Sequence, residues 1–135
     1  MKKTIIVTGV TGGIGSQIAR KFILMGDIVI GVYNKSESVA MQLKKEFGAN
    51  LHLYKCDLSD FDCGEKLLLY IEEKGLQPDL LINNAGMLPP FDKFFHYSEE
   101  MVEKCMDVNF NGPRYAIKEM MPILRKSTMS GIVNI

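Results

Sequence analysis

Four glycines lie close together near the start of the chain, in the segment TGVTGGIG. They occupy positions Gly9, Gly12, Gly13 and Gly15. A short apolar run, Ile5–Val7, precedes them, and apolar residues at helical spacing follow them. The run shows no alternation of polar and apolar residues, which is typical of a strand buried on both faces of a parallel sheet. The glycines therefore join a predicted strand to a predicted helix.

The chemistry that this position favours is anion binding. The first backbone N–H groups of a helix have no intrahelical partner, and the helix dipole places positive charge there. Glycines lack a Cβ, so a phosphate group can approach the backbone. The spacing fits neither G-x-G-x-x-G nor the P-loop pattern. A tight turn without a ligand is the alternative, but one turn rarely needs four glycines.

Polar residues also follow the later predicted strands. They are Asn34 and Lys35 after the second strand, Asp57 with Leu58 after the third, and Asn83–Gly86 after the fourth. In open parallel sheets, ligands bind beyond the carboxyl ends of the strands, where the strand order reverses. This placement predicts one site built from several loops.

The elements that must position these residues alternate along the chain. Strands are predicted at 5–7, 27–33, 51–56, 79–83 and 131–135, and helices follow the first four of them. The first helix is predicted to bury Ile14, Ile18, Phe22 and Met25. Asp57, Ser59 and Asp60 lie where the cap of the third helix belongs, and Ser98 can cap a long helix from Glu99 to about Arg125. The pattern predicts one Rossmann-like domain over 1–135, a doubly wound parallel α/β sheet.

The charge balance and the cysteine content limit the kinds of partner that we expect. Sixteen basic and sixteen acidic residues cancel, so nucleic acid and anionic membranes are not expected as partners. No apolar run reaches transmembrane length. Cys56, Cys63 and Cys105 are odd in number and lack metal-ligand spacing. We therefore expect reduced thiols, no metal site and a cytoplasmic location.

Three motifs in order carry a resemblance to a known family. Thr8–Gly15 resembles the T-G-x-x-x-G-x-G loop of the short-chain dehydrogenase/reductase family, although it also satisfies T-G-x-x-G-x-x-G of the extended, epimerase-like branch. Asn83–Gly86 resembles the N-N-A-G of the single-domain branch, and "VNFNGP" at 108–113 resembles its fourth-helix segment. The general pattern is similar to bacterial 3-oxoacyl-acyl carrier protein reductases.

The resemblance implies a nicotinamide dinucleotide cofactor and a role for each loop. It implies that the pyrophosphate lies over the first loop, Asp57 bonds the adenine amine, Leu58 lies beside the ring, and the Asn83–Gly86 loop lines the ribose and the approach to the nicotinamide. The residues implied in binding are Gly9, Thr11, Gly13, Ile14, Gly15, Asn34, Lys35, Asp57, Leu58, Asn83, Ala85 and Gly86. The alternatives are an ordinary helix N-cap for Asp57 and a plain Asn/Gly turn for the fourth loop.

Asn109 is the one catalytic residue that the resemblance implies within this sequence. Pro113 follows four residues later and cannot donate a hydrogen bond to the Asn109 carbonyl, so a local kink is expected in the long helix. In the family, the main chain of the equivalent asparagine holds a water that connects to a catalytic lysine. A purely structural kink is the alternative.

Other catalytic groups of the family do not match this sequence. In the family, a serine follows the fifth strand, and a Tyr-x-x-x-Lys motif lies on the next helix. Tyr70 and Lys74 have the spacing of that motif, but they lie on the third predicted helix. We therefore expect an incomplete domain, truncated after the fifth strand, and no turnover by the isolated chain. The family function is carbonyl reduction or alcohol oxidation on a small-molecule substrate. Alternatives are a non-catalytic dinucleotide-binding module and a subunit completed by a second chain.

The residues after the second strand favour NADP(H) over NAD(H). A carboxylate is expected there in NAD enzymes, but the sequence has Asn34, Lys35 and Ser36. A lysine can pair with a 2′-phosphate, although Glu37 is close.

Association is also expected, either as a homo-oligomer or with a complementing chain. The fifth strand would present an unpaired edge. Between positions 101 and 121, the long helix carries more apolar residues than one stripe needs: Met101, Val102, Cys105, Met106, Ile117, Met120 and Met121.

Overall fold

The computed structural model describes residues 1–135 as alternating strands and helices. The strands are β1 (Thr4–Thr8), β2 (Ile28–Tyr33), β3 (Leu51–Lys55), β4 (Leu80–Asn83) and β5 (Gly131–Asn134). The helices are α1 (Gly13–Leu24), α2 (Glu37–Phe47), α3 (Cys63–Glu73), α4 (Glu99–Met106) and α5 (Gly112–Leu124). A π-helical turn, Asp107–Asn111, joins α4 to α5, and 3₁₀ turns occupy Gly48–Asn50 and Phe94–His96. All five predicted strands are present.

The strands form one parallel sheet in the order β3-β2-β1-β4-β5. From β1 the chain moves outward to β2 and β3, then returns to place β4 on the other side of β1. The strand order therefore reverses between β1 and β4. This is the predicted Rossmann-like, doubly wound α/β fold.

Helices cover both faces of the sheet, which explains why the strands lack alternation. On one face Ile5, Val7 and Val29 pack against α1 and α2. On the other face Ile6, Ile30 and Leu81 pack against α3 and α5. In each central strand, the residues that point to either face of the sheet are buried, so the strand is a continuous apolar run.

The buried face of α1 differs from the predicted one. Gly15, Ala19 and Ile23 are buried, and Ile18 and Phe22 pack at the margin of the core. Ile14 and Met25 are 62% and 66% exposed, so their assignment to the core was wrong. The helix approaches the sheet closely through its small residues, which turns the contact stripe away from both side chains.

The turn before α3 also differs from the prediction. The N-cap position is Asp62, which makes no side-chain cap hydrogen bond. Asp57 instead accepts hydrogen bonds from the backbone N–H and hydroxyl of Ser59, at 2.9 and 2.7 Å. Asp57 therefore closes its own turn and does not cap the helix.

The predicted long helix is interrupted where its sequence suggested a kink. Ser98 caps α4 by accepting a hydrogen bond from the Met101 N–H at 3.2 Å, as predicted. The Gly112 N–H donates to the Asp107 carbonyl, which widens the backbone into the π-helical turn. Pro113 then lies in the first turn of α5, where its missing N–H is tolerated.

Some of the additional apolar side chains predicted between positions 101 and 121 pack against α3 of the same chain. Met120 is buried, and Ile117 packs at the margin of the same cluster beside α3. The crossing is close, because a Cβ added at Gly64 of α3 would lie 2.6 Å from the Tyr115 carbonyl oxygen. Val102 and Met106 of α4 remain exposed. None of the helices combines the length and hydropathy that crossing a membrane requires.

Candidate cofactor site

A cleft of about 790 Å³ lies at the carboxyl ends of β1 to β4, on the switch point of the sheet. Most of the predicted binding residues line it together. These are Gly9, Thr11, Gly13, Ile14, Asn34, Lys35, Asp57, Leu58, Ala85 and Gly86. Gly15, Asn83 and Asn109 do not line the cleft. Gly12, Ser36 and Asn84, which belong to the predicted loops, also line it, whereas Met87, Leu88 and Lys104 line it without having been predicted as site residues.

The glycine loop has the shape of a phosphate cradle. Gly9 has a φ of +66°, and its carbonyl accepts a hydrogen bond from the Gly12 N–H at 3.0 Å. A Cβ at Gly15 would lie 2.2 Å from the Gly9 carbonyl oxygen, so a larger residue at this position would clash with the loop. A Cβ at Gly13 would meet nothing within 4 Å. The open backbone at the N-terminus of α1 thus fits a pyrophosphate.

Thr8 and Asn84 connect the first loop to the fourth, a connection that the sequence prediction missed. The Thr8 hydroxyl oxygen accepts hydrogen bonds from the backbone N–H groups of Asn84 and Ala85, each at 3.0 Å. The Asn84 amide donates to the carbonyl of Thr8 at 3.0 Å and to that of Gly9 at 3.3 Å. These hydrogen bonds therefore fix the first loop against the fourth. The available signal was a polar residue at the end of β1 and another directly after the neighbouring strand β4.

Lys35 is exposed on the rim of the cleft, beside Asn34 and Ser36. The carboxylate of Glu37, which could have neutralised it, pairs with Lys55 at 3.1 Å. Lys55 ends β3, so this contact depends on the β2–β3 pairing. The Glu37 carboxylate is therefore already paired with Lys55, and the Lys35 ammonium group is exposed at the rim of the cleft.

Asp57 lies on the cleft wall and keeps its negative charge. Partial burial by itself raises the pKa of its carboxyl group, but the two hydrogen bonds from Ser59 and the charge of Lys104 outweigh burial and lower the pKa overall. The Lys104 ammonium nitrogen is 3.6 Å from the carboxylate and 3.1 Å from the Ser59 hydroxyl. A carboxylate held in this way can accept a hydrogen bond from an amino group of a ligand.

Asn83 and Asn109 lie around a second cavity of about 330 Å³, beside Pro113 and Asn134. The buried Asn83 amide donates to the side-chain oxygen of Asn134 at 2.9 Å, which joins β4 to β5. The next three residues of the loop, Asn84–Gly86, line the main cleft, whereas Asn83 does not. This difference arises because successive residues at a strand end point in opposite directions.

The Asn109 side chain holds the wall of the main cleft from outside. Its amide donates to the Met87 carbonyl at 2.7 Å, and its side-chain oxygen accepts from the Met87 N–H at 2.7 Å. Met87 and Leu88 line the cleft. Asn109, in the π-helical turn, therefore positions the segment after β4.

Tyr70, which has a lysine at the family's catalytic spacing, lies away from the cleft. Its ring stacks on Tyr54 with centroids 4.7 Å apart, and its hydroxyl donates to the Leu53 carbonyl at 3.2 Å. Burial raises the pKa of Tyr70, which opposes proton transfer near neutrality. Tyr70 is therefore a half-buried packing residue of α3.

The fold and the glycine cradle define a dinucleotide-binding α/β protein. Residues 3–135 match the short chain dehydrogenase family, and the chain belongs to that family. It is 30% identical over 131 residues to the NADP-dependent 3-hydroxy acid dehydrogenase YdfG of Escherichia coli K12, covering 97% of this chain and 52% of that protein. It is 29% identical to the NADPH-dependent pterin aldehyde reductase of Arabidopsis thaliana, covering 98% and 55%.

Solved structures agree with this assignment. A serine dehydrogenase in its closed form, complexed with NADP+, superposes with a TM-score of 0.86 at 29% identity, over 97% of this chain and 52% of that chain. A serine dehydrogenase from Escherichia coli gives a TM-score of 0.85, also at 29% identity, over 97% and 60%. The chain spans about half the length of the curated relatives it matches.

Proposed function

We propose that residues 1–135 form the NADP(H)-binding part of an oxidoreductase that interconverts small carbonyl compounds and alcohols. The observation that carries this proposal is the convergence of the glycine cradle, the Lys35 rim and the Asp57 wall on one cleft. The cofactor would supply the hydride. A cytoplasmic location and a small-molecule substrate belong to the same proposal.

Each part of the cleft supports a separate role in binding. The open backbone at Gly13 and Ile14 would hold the pyrophosphate. Asp57 would accept from the adenine amine, with Leu58 against the ring. Ala85 and Gly86 would line the ribose and the approach to the nicotinamide. Asn109 would act on the reaction through Met87 and the segment after β4.

The choice of NADP(H) over NAD(H) depends on the end of β2. Lys35 can pair with a 2′-phosphate, and Glu37 already pairs with Lys55. The relatives support this choice, since the names of YdfG and the pterin aldehyde reductase specify NADP or NADPH, and the serine dehydrogenase structure contains NADP+.

A titration with both cofactors tests the proposal. The wild-type chain is expected to bind NADPH more tightly than NADH by calorimetry. Lys35→Glu should weaken NADPH binding about tenfold, because it replaces an attractive charge with a repulsive one, while NADH affinity changes little.

Lys45→Glu is the matched control, since Lys45 is an exposed lysine near the opposite end of α2. It makes the same change in net charge without reaching the cleft. Equal loss of NADPH affinity in both variants, or tighter binding of NADH by the wild type, would contradict the assignment of NADP(H).

A further inference from the structure

Lys104 lines the same cleft as Asp57 but belongs to a different element, the last turn of α4. Val108, which follows Lys104 by about one helical turn, also lines the cleft. Residues at this spacing lie on one face of a helical segment, so that face is turned toward the cleft. The cleft around Asp57 is therefore lined by the turn after β3 and also by α4.

A single hydroxyl group fixes the charged ends of both side chains. The Ser59 hydroxyl donates to Oδ1 of Asp57 at 2.7 Å and accepts from the Lys104 ammonium group at 3.1 Å. The Lys104 nitrogen is 3.6 Å from the other carboxylate oxygen, Oδ2, which is longer than a hydrogen bond. The ammonium group and Oδ2 therefore lie side by side, each within reach of a ligand in the cleft.

Both groups keep hydrogen-bonding capacity for such a ligand. The backbone N–H and the hydroxyl of Ser59 both donate to Oδ1, so Oδ2 can accept from a ligand. An ammonium group has more than one N–H donor, and the Ser59 hydroxyl takes one of them. The pair thus offers an acceptor directly beside a donor.

Adenine carries the complementary groups. Its amine is a hydrogen-bond donor, and the ring nitrogens on either side of the amine are acceptors. Guanine has an oxygen in place of that amine, which the Asp57 carboxylate would repel. Leu58 and Val108 also line the cleft and offer apolar surface to a flat ring. The arrangement therefore fits adenine better than guanine.

We propose that Lys104 recognises the adenine base together with Asp57. The Asp57 carboxylate accepts from the amine, and the Lys104 ammonium group donates to a ring nitrogen beside that amine. Lys104 is then a specificity-determining residue of the cleft. The inference rests on the proposed function because it takes an adenine nucleotide as the ligand.

Calorimetry with ADP and its deaza analogues isolates this contact. ADP contains the adenine but no 2′-phosphate. The 1-deaza and 7-deaza analogues each replace one ring nitrogen beside the amine with carbon, which removes that acceptor and keeps the amine. The wild-type chain should bind one of these analogues about tenfold more weakly than ADP, as expected for the loss of one hydrogen bond from a charged donor. Lys104→Met should bind ADP and that analogue equally.

Lys35→Met is the matched control, because it removes the same charge from the rim of the same cleft. ADP and its analogues carry the same phosphates, so the loss of this charge should weaken their binding equally. The tenfold difference between ADP and the analogue should therefore persist in Lys35→Met. Lys104 is exposed, and circular dichroism checks that Lys104→Met folds like the wild type.

The inference is overturned if the wild type fails to bind ADP, if it binds ADP and both analogues equally, or if every difference persists in Lys104→Met. A titration with NADPH under the same conditions separates this result from failure of the proposed function. If ADP shows the difference that depends on Lys104 and NADPH does not bind, the proposed function fails and the role of Lys104 stands. If NADPH binds and ADP shows no such difference, the proposed function stands and the role of Lys104 is wrong.

Discussion

Gly9 holds the first loop in a conformation that a side chain opposes in two ways. Its φ is +66°, and a Cβ there would lie 2.8 Å from the Cα of Ala85. We expect Gly9→Ala to lower the free energy of unfolding by about 1–3 kcal/mol and to weaken cofactor binding. Urea denaturation followed by circular dichroism measures the stability.

Gly13→Ala is the matched control in the same loop. A Cβ at Gly13 meets nothing within 4 Å, and Gly13 begins α1. Alanine favours a helix over glycine by up to about 1 kcal/mol, so this variant should be as stable as the wild type or slightly more stable. If the two variants lose stability equally, the specific role of Gly9 is wrong.

At the scale of elements, the π-helical turn and the segment after β4 should be mechanically linked. Asn109 makes both side-chain hydrogen bonds to Met87, and each such bond contributes about 0.5–1.5 kcal/mol. Asn109→Ala should therefore speed hydrogen exchange of the Met87 N–H about tenfold and reduce cofactor affinity. Exchange measured by NMR tests the link.

Asn111→Ala provides the comparison for this test. Asn111 lies in the same turn, but its amide donates to Asp107 and not to the segment after β4. Its substitution should leave the exchange of Met87 unchanged. A similar change in both variants would indicate general loosening of the turn and would remove the special role of Asn109.

At the scale of the whole molecule, β5 is an edge strand of the sheet, and its residue Val133 is 44% exposed. Leu88, Phe91, Phe94 and Phe95 are also exposed. Exposed strand edges and apolar patches favour association. We expect light scattering after size exclusion to give a mass above the 15.2 kDa of one chain.

Val133→Lys tests whether the edge is responsible. A lysine on an edge strand opposes pairing with a second strand, so this variant should shift the chain toward monomer. Lys118→Arg, which keeps the charge of an exposed residue on α5, should not change the mass. A wild-type chain that stays monomeric at high concentration would contradict the expectation.

Local sequence patterns were sufficient to predict the strands and most of the residues that line the cleft. Each strand is a short apolar run, and its polar successor lies at the carboxyl end because parallel strands share that edge. The Ser98 cap and the break near Pro113 were also predictable, since both depend on residues a few positions apart. The sequence alone therefore placed Lys35, Asp57 and Gly13 on one cleft.

Tertiary structure decided the contacts between segments distant in the chain. Thr8 bonds Asn84 only because β1 pairs with β4, and Glu37 meets Lys55 only because α2 and β3 flank β2. The exposure of Ile14 likewise depends on how closely α1 approaches the sheet. Periodicity reports which residues share a face, but the depth and rotation of that face are set by neighbours far away in sequence.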